Sequence, residues 1–238
     1  MKRVLAVGGA PEYVGAIYLA AISALRFGAE SVVVMAPEKV AWALNALSPD
    51  LMTRKLKGTH LSMRHLPAIL AMLKTADILL MGNGATTRPD AAALMRSLAR
   101  WPGPKVIDAD GLKALRSAPV NAILTPNAGE WKLLEEHIGA KELLAQNVVV
   151  KKGMPTRILS RGKTWAQKRT NRGLEKAGTG DVLAGMCAGF LARGLPPFEA
   201  ATRAAEKGNR IAGILAKKKN GSDFLASDIA EELKRFRM

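Results

Sequence analysis

A glycine-rich segment, Ala177-Gly178-Thr179-Gly180-Asp181, directly precedes an apolar stretch with helical periodicity. Glycines at a helix start expose backbone N–H groups, and the helix dipole adds partial positive charge, so a phosphate can approach closely. We therefore predict an anion-binding turn at Gly178, Thr179 and Gly180. Asp181 then carries a carboxylate suited to orient a hydroxyl and accept its proton during phosphoryl transfer. Taken alone, Gly-Thr-Gly-Asp fits better a tight turn in which Asp181 only favours the helix start, and the surrounding residues reverse this preference.

Other polar and glycine-rich segments follow short apolar runs along the chain. They occupy residues 8–16, 82–84, 108–110, 125–130 and 152–153. Ligands of parallel α/β sheets bind beyond the carboxyl ends of the strands. We therefore expect all five segments to lie on one edge of a sheet, together with the glycine turn.

The elements that position these segments alternate between short apolar runs and longer amphipathic stretches. Strands are predicted at 3–7, 31–35, 78–81, 105–108, 121–124 and 148–151, and helices at 14–27, 89–100, 129–137, 181–193, 197–216 and 227–236. The segments 157–159 and 164–167 predict a hairpin at one edge. This alternation predicts an α/β fold, with a mostly parallel central sheet flanked by helices on both faces. One domain is expected over residues 1–238, with no internal repeat.

The length and composition indicate a folded chain with one hydrophobic core. Of the 238 residues, 48% are hydrophobic and 24% are charged, which does not suggest disorder. No apolar stretch approaches the roughly 20 residues that span a bilayer, and the apolar run at residues 4–7 is too short for a secretion signal. A soluble, cytoplasmic protein with no membrane partner is expected. The single cysteine, Cys187, lies in an apolar helical segment and is predicted to be buried and inert.

The formal net charge of +16 favours an anionic partner. Basic residues are scattered, with the densest runs at 161–172 and 217–219, and no helix-turn-helix, zinc-finger or RNA-recognition signature accompanies them. We therefore favour a polyphosphate small molecule and keep a basic nucleic-acid-binding protein as a less favoured alternative. His60, His65 and His137 lack metal-ligand spacing and are predicted to be surface or packing residues.

A family resemblance covers nearly the whole chain in order. Residues 171–201, with Ala-Gly-Thr-Gly-Asp-Val-Leu-Ala-Gly at their centre, resemble the C-terminal signature of ADP/ATP-dependent NAD(P)HX dehydratases. Residues 8–16 resemble that family's opening loop, 49–52 its Pro-Glu-hydrophobic-Met segment, 108–112 its Asp-Ala-Asp-Ala-Leu and 225–229 its closing Ala-Ser-Asp-Leu. The resemblance implies a ribokinase-like fold and a repair reaction that returns hydrated NADH or NADPH to the reduced cofactor with ATP or ADP.

The resemblance also implies roles for individual residues. Contacts with the hydrated cofactor fall on Ala16, Gly84, Asn127 and Asp181, and contacts with the nucleotide on Lys152, Gly153, Met154, Pro155, Thr156 and Gly180. Mg²⁺ is expected to bind mainly through the phosphates, so no residue is assigned as a direct metal ligand. Asp108, Asp110 and Glu130 are candidates for contact with the ion through water. A homo-oligomer is a further expectation from the family.

Two positions depart from the family pattern. Asn127 stands where the family has His in Thr-Pro-His-x-Gly-Glu, and an amide cannot shuttle a proton as imidazole does. Asn127 fits two interpretations equally, a substrate contact or a helix cap paired with Glu130. Asn83 stands between Gly82 and Gly84 where the family has Pro, and this change is predicted to affect loop stiffness more than chemistry.

A competing enzyme class is a small-molecule kinase on the same scaffold, acting on a vitamin precursor or a sugar. Its phosphate turn and catalytic carboxylate would be identical. The combination of segments 108–112, 125–130 and 171–201 favours the dehydratase.

Overall fold

The computed structural model describes residues 2–168, 170–219 and 221–232, and these residues form nine strands and ten α-helices. The strands are β1 Arg3–Val7, β2 Ser31–Pro37, β3 Met52–Leu56, β4 Ile78–Met81, β5 Lys105–Ile107, β6 Ala122–Leu124, β7 Val148–Lys151, β8 Arg157–Ser160 and β9 Lys163–Ala166. The helices are α1 Val14–Phe27, α2 Glu38–Leu47, α3 Leu66–Leu73, α4 Pro89–Ala99, α5 Asp110–Ala114, α6 Ala128–His137, α7 Ala140–Ala145, α8 Thr179–Ala192, α9 Pro197–Lys218 and α10 Ala226–Glu232.

The strands form one sheet in the order β3-β2-β1-β4-β5-β6-β7-β8-β9. Strands β1 to β7 pair in parallel, and β8 and β9 add an antiparallel hairpin at one edge. The predicted mostly parallel sheet is confirmed. The order reverses between β1 and β4, so the loops that follow these two strands diverge and leave a crevice, which is the usual ligand position in such sheets.

Helices cover both faces of the sheet because successive strand residues point to opposite sides. In β1, Val4 and Ala6 face the core that packs against α1, α8 and α9, whereas Leu5 and Val7 face the core that packs against α3, α4 and α6. All four residues are at most 1% exposed. The continuous apolar runs of the central strands therefore reflect burial on both faces.

Two glycines let α8 pack closely against α1. A Cβ atom at Gly185 would lie 2.2 Å from the carbonyl oxygen of Ala20, and one at Gly189 would lie 3.0 Å from that of Ala24. Both positions therefore exclude larger side chains. This close packing fixes the N-terminus of α8 at the carboxyl edge of the sheet.

Several element bounds differ from the prediction. The edge strand β3, Met-Thr-Arg-Lys-Leu, was not predicted because it is polar and mostly exposed, with a neighbour on only one side. The short helices α2, α3, α5 and α7 were also not predicted. Helix α8 begins at Thr179 and not at 181, because Gly178 adopts the left-handed conformation that starts it. Residues 233–236 of the last predicted helix lie outside the described residues.

Cys187 lies in the middle of α8 and is fully buried. Burial raises the pKa of its thiol far above the usual value, so the thiol stays protonated and inert, as predicted. Among the described residues, no helix combines the length and the apolar character needed to cross a membrane.

Candidate active site

The glycine turn presents two free backbone amides at the start of α8. The N–H of Thr179 donates to the carbonyl oxygen of Lys176 at 3.2 Å, and the Thr179 hydroxyl donates to the same oxygen at 2.8 Å. Thr179 is 8% exposed and acts inside the turn. In the described part of the chain, the N–H groups of Gly180 and Asp181 have no protein acceptor. The amides of Gly180 and Asp181 are therefore available to an anion, whereas the N–H of Thr179 is used inside the turn. Nucleotide contact at Gly178, Thr179 and Gly180 stays a prediction.

Gly178 is required by the backbone of this turn. Its φ angle is +86°, in the left-handed region that favours glycine. A Cβ atom there would also lie 2.8 Å from Leu19 Cδ1 and 2.9 Å from the Ala226 Cβ. Any larger residue would shift the turn away from α1 and α10.

Lys152 places a positive charge over the turn. It follows β7, and its Nζ lies 2.9 Å from Asp108 Oδ1 and 3.8 Å from Glu130 Oε2. A Cβ atom at Gly180 would lie 3.0 Å from the same Nζ. Burial opposes the charge, but the carboxylates of Asp108 and Glu130 outweigh it and raise the pKa of Lys152. The ammonium therefore stays charged where a phosphate would meet the turn.

Asn83 joins the two carboxylates at the centre of the site. Its Nδ2 donates to Asp181 Oδ1 at 2.7 Å and to Asp108 Oδ2 at 3.0 Å. Asp108 Oδ1 also accepts from the hydroxyl of Thr125 at 2.7 Å. Asn83 is fully buried. The amide side chain contacts the Asp181 carboxylate directly, a contact that a change of loop stiffness alone does not account for.

The carboxyl group of Asp181 titrates near neutral pH. Burial raises its pKa to about 7, and the neighbouring charge of Asp108 adds to the rise. The hydrogen bond from Asn83 and the charge of Lys152 act in the opposite direction. A carboxylate with a pKa near the working pH is well matched to take a proton from a hydroxyl.

Asp181 stands where two cavities meet. One cavity, of about 470 Å³, is lined by the turn and by Lys152, Gly153, Met154 and Thr156. The other, of about 600 Å³, is lined by Tyr13, Ala16, Gly84 and Arg88. Asp181 and Ala109 line both cavities. Pro155 is not among the described residues that line either of them.

Ala16 and Gly84 meet across the crevice between β1 and β4. A Cβ atom at Gly84 would lie 3.3 Å from the Ala16 Cβ and 2.8 Å from the carbonyl oxygen of Tyr13. Gly84 also has a φ of +64°. The structure thus brings together two of the residues predicted to contact the hydrated cofactor, and places Asp181 on the same cavity wall.

A family model described as NAD(P)H-hydrate dehydratase matches residues 4–235. The chain belongs to the NAD(P)H-hydrate dehydratase family. It is 35% identical to the bifunctional NAD(P)H-hydrate repair enzyme Nnr of Methanothermobacter thermautotrophicus over 251 residues, which cover 96% of this chain and 48% of that protein. The chain therefore spans about half the length of the curated relatives it matches.

Solved structures support the same placement in the NAD(P)H-hydrate dehydratase family and a ribokinase-like fold. The ADP/ATP-dependent NAD(P)H-hydrate dehydratase of Bacillus subtilis, co-crystallised with ATP/Mg²⁺, is 25% identical with a TM-score of 0.80, covering 98% of this chain and 88% of that one. A ribokinase-like superfamily protein of Enterococcus faecalis shares the fold with a TM-score of 0.84 at 24% identity, covering 99% of this chain and 86% of that one.

Asn127, which replaces the His of the NAD(P)H-hydrate dehydratase pattern, caps α6. Its Oδ1 accepts from the N–H of Glu130 at 2.9 Å, and its own N–H donates to Glu130 Oε2 at 2.9 Å. The capping interpretation is confirmed. Asn127 lines the cavity that also contains Lys152, so its substrate contact stays a prediction.

The carboxylates of Asp108, Asp110 and Glu130 are compatible with a Mg²⁺ ion that binds together with the nucleotide phosphates. Both oxygens of Asp108 already accept hydrogen bonds, Asp110 accepts from Thr86 N and Lys113 Nζ, and Glu130 caps α6. No group of three or more His, Cys, Asp or Glu residues among those described is arranged to hold a metal. These residues fit contact with Mg²⁺ through water, while phosphates supply the inner ligands.

We expect Lys152→Met to weaken ATP binding by about 10–100-fold, because a charge-assisted contact with phosphate contributes about 1.5–3 kcal/mol. Isothermal titration calorimetry measures the change. Lys151→Met is the matched control, since that ammonium lies 5.3 Å over the Trp131 ring and outside the residues found to line either cavity. Equal affinity in wild type and Lys152→Met would remove this residue from the nucleotide site.

Proposed function

We propose that this chain dehydrates hydrated NADH and NADPH to the reduced cofactors at the expense of ATP or ADP, as one ribokinase-like domain over residues 1–238. The observation that carries the proposal is the position of Asp181 where two cavities meet. Free amides and a lysine lie on one side of this carboxylate, and the Ala16 and Gly84 crevice lies on the other. Family membership supports the same reaction.

The first cavity takes the nucleotide in this proposal. Its contacts are Lys152, Gly153, Met154, Pro155, Thr156, Gly178, Thr179 and Gly180, with Pro155 and Thr179 acting through the backbone shape and not through side-chain contact. The amides of Gly180 and Asp181 and the Lys152 ammonium bind the phosphates. The second cavity takes the hydrated nicotinamide ring through Ala16, Gly84 and Asp181, and Asn127 contacts the substrate from the first cavity.

The chemistry needs an activated leaving group, because hydroxide leaves poorly. Asp181 accepts the proton of the ring hydroxyl while that oxygen bonds to the terminal phosphorus of ATP and the bond from this phosphorus to ADP breaks. The lone pair of the ring nitrogen then expels inorganic phosphate as the carbon–oxygen bond breaks. Loss of a proton from the adjacent ring carbon restores the dihydronicotinamide. With ADP as donor, AMP is released instead.

Mg²⁺, when bound, neutralises charge on the transferring phosphates. The protein residues position and tune the proposed base. Asp108 and Asn83 hold Asp181 in place, since Asn83 bonds both carboxylates. Burial of the site raises the pKa of Asp181 to about 7, so a large fraction of the carboxyl group is ionised near neutral pH and can take a proton.

A direct assay tests the proposal. Purified protein is mixed with hydrated NADH, Mg²⁺ and either ATP or ADP, and the return of dihydronicotinamide absorbance is followed. Hydrated NADPH is tested in parallel, so that the preferred donor and substrate are measured together. Nucleotide consumption that yields a stable phosphorylated product, without recovery of absorbance, would instead identify a small-molecule kinase.

A further inference from the structure

One part of the first cavity is apolar. It is walled by apolar side chains from three helices, including Val182, Leu183 and Met186 of α8 and Ile229 of α10. Such a wall suits a flat aromatic ring, because apolar contact is not directional. The phosphate end, by contrast, holds Lys152 and the glycine turn. A nucleotide whose phosphates meet the turn would place its base against these apolar side chains.

Several amide side chains line this cavity, and among the described ones only Asn209 has a buried oxygen without a hydrogen-bond partner. Asn209 of α9 lines the cavity, and its Oδ1 is buried with no hydrogen-bond partner in the described part of the chain. Gly208 beside it lines the same cavity and lacks a side chain that could fill the space next to the amide. A buried carbonyl oxygen without a donor costs free energy until a ligand supplies one.

We propose that Asn209 selects adenine by pairing its side-chain amide with the edge of the base. Its Oδ1 accepts from the exocyclic N6 amine, and its Nδ2 donates to the ring nitrogen N7, the two-bond pairing that Asn commonly makes with adenine. Hypoxanthine and guanine carry a carbonyl in place of that amine, so both atoms of the edge are acceptors. At most one bond then forms, and Oδ1 stays unpaired.

The inference rests on the proposed function, since it assigns the base end of the proposed nucleotide cavity. It adds a residue that the family pattern and the glycine turn do not indicate. Asn209 lies outside the phosphate-binding segments, and its buried Oδ1 needs a donor that the described part of the protein does not supply. The inference therefore assigns selection between bases to this amide, whereas binding of the phosphates does not depend on it.

Equilibrium titration of the full chain with ATP and with ITP, without the dinucleotide substrate, tests the inference. We expect wild type to bind ATP about 10–100-fold more tightly than ITP, because a site built to bond an amine leaves a polar group unpaired without it. Asn209→Leu, of similar size, should bring the two affinities within about threefold. Glu206→Gln, an exposed position on α9, is the matched control and should keep the wild-type ratio.

Asn209→Asp keeps the acceptor oxygen and loses the donor, so this variant should still prefer ATP over ITP. It also provides a second test in case the Asn209→Leu variant does not fold. Equal binding of ATP and ITP by wild type, or an unchanged ratio in Asn209→Leu, would overturn the inference while hydrated NADH could still be repaired. Selective ATP binding without any repair of hydrated NADH would instead contradict the proposed reaction and leave the role of Asn209 intact. Absence of binding by either nucleotide would overturn both.

Discussion

Asp181→Asn is expected to lower the turnover of hydrated NADH by about 10³-fold or more, while ATP affinity stays the same or increases. The amide cannot accept the hydroxyl proton, and a positioned base contributes about 10²–10⁴-fold. ATP affinity is retained because the backbone amides of Gly180 and Asp181 and the ammonium of Lys152 are unchanged, and one negative charge near the phosphates is removed. Recovery of dihydronicotinamide absorbance and calorimetric titration with ATP measure the two effects.

Thermal stability provides the control for this variant. Asp181 has a folded-state pKa of about 7, above its unfolded value of 3.8, so the folded protein binds more protons between these pH values and the carboxyl group destabilises it as pH rises. Asp181→Asn should therefore match wild type near pH 3 and become more stable up to about pH 7. The gain, discounted for partial exposure, is on the order of 2 kcal/mol, or about 4–8 °C in Tm. Normal turnover by a stable variant would remove Asp181 from its proposed role.

Asn83→Leu should move the rise of activity to higher pH. Wild-type kcat/KM is expected to rise with pH through about 7, because the ionised Asp181 carboxylate is the active form in the proposed reaction. Asn83 donates to that carboxylate at 2.7 Å, and a hydrogen bond to a charged group contributes about 1.5–3 kcal/mol, or about one to two pH units. We therefore expect a loss of about 5–50-fold at pH 7 that is largely recovered above pH 9.

Thr125→Val is the matched control, because its hydroxyl donates to Asp108 and not to Asp181. It should shift the pH profile less than Asn83→Leu does. Asn83→Pro, which restores the family residue, also lacks the donor and should shift the profile in the same direction. A pH-independent loss of activity in Asn83→Leu would mean that the amide only supports the loop.

The fold was predictable where burial dominates the sequence. Strands β1, β4 and β7 are continuous apolar runs because both of their faces are covered, and their bounds were predicted without error. The edge strand β3 carries Thr, Arg and Lys because much of it faces solvent. Periodicity cannot distinguish such a strand from a loop, since pairing with β2 decides its conformation.

The site was predictable in its backbone but not in its contacts. Gly178 and Gly180 identified the turn because their spacing before a helix has a direct physical meaning. The bond from Asn83 to Asp181 joins residues 98 positions apart, so no local pattern reports it. The available signal was indirect, since Asn83 follows a buried strand at the predicted ligand edge. The individual substrate and nucleotide contacts stay predictions until the variants above are measured.

The meeting of the two cavities at Asp181 has a kinetic consequence. Among the described residues, only Asp181 and Ala109 line both cavities, so most of each lining stays free when the other cavity is filled. In the proposed reaction, we therefore expect the nucleotide and the hydrated cofactor to bind in either order, and the spent nucleotide to leave before or after the repaired dinucleotide. Double-reciprocal plots of initial velocity, measured at several fixed concentrations of the second reactant, should therefore give intersecting lines. Parallel lines would indicate that the first product must leave through a shared entrance before the second reactant binds.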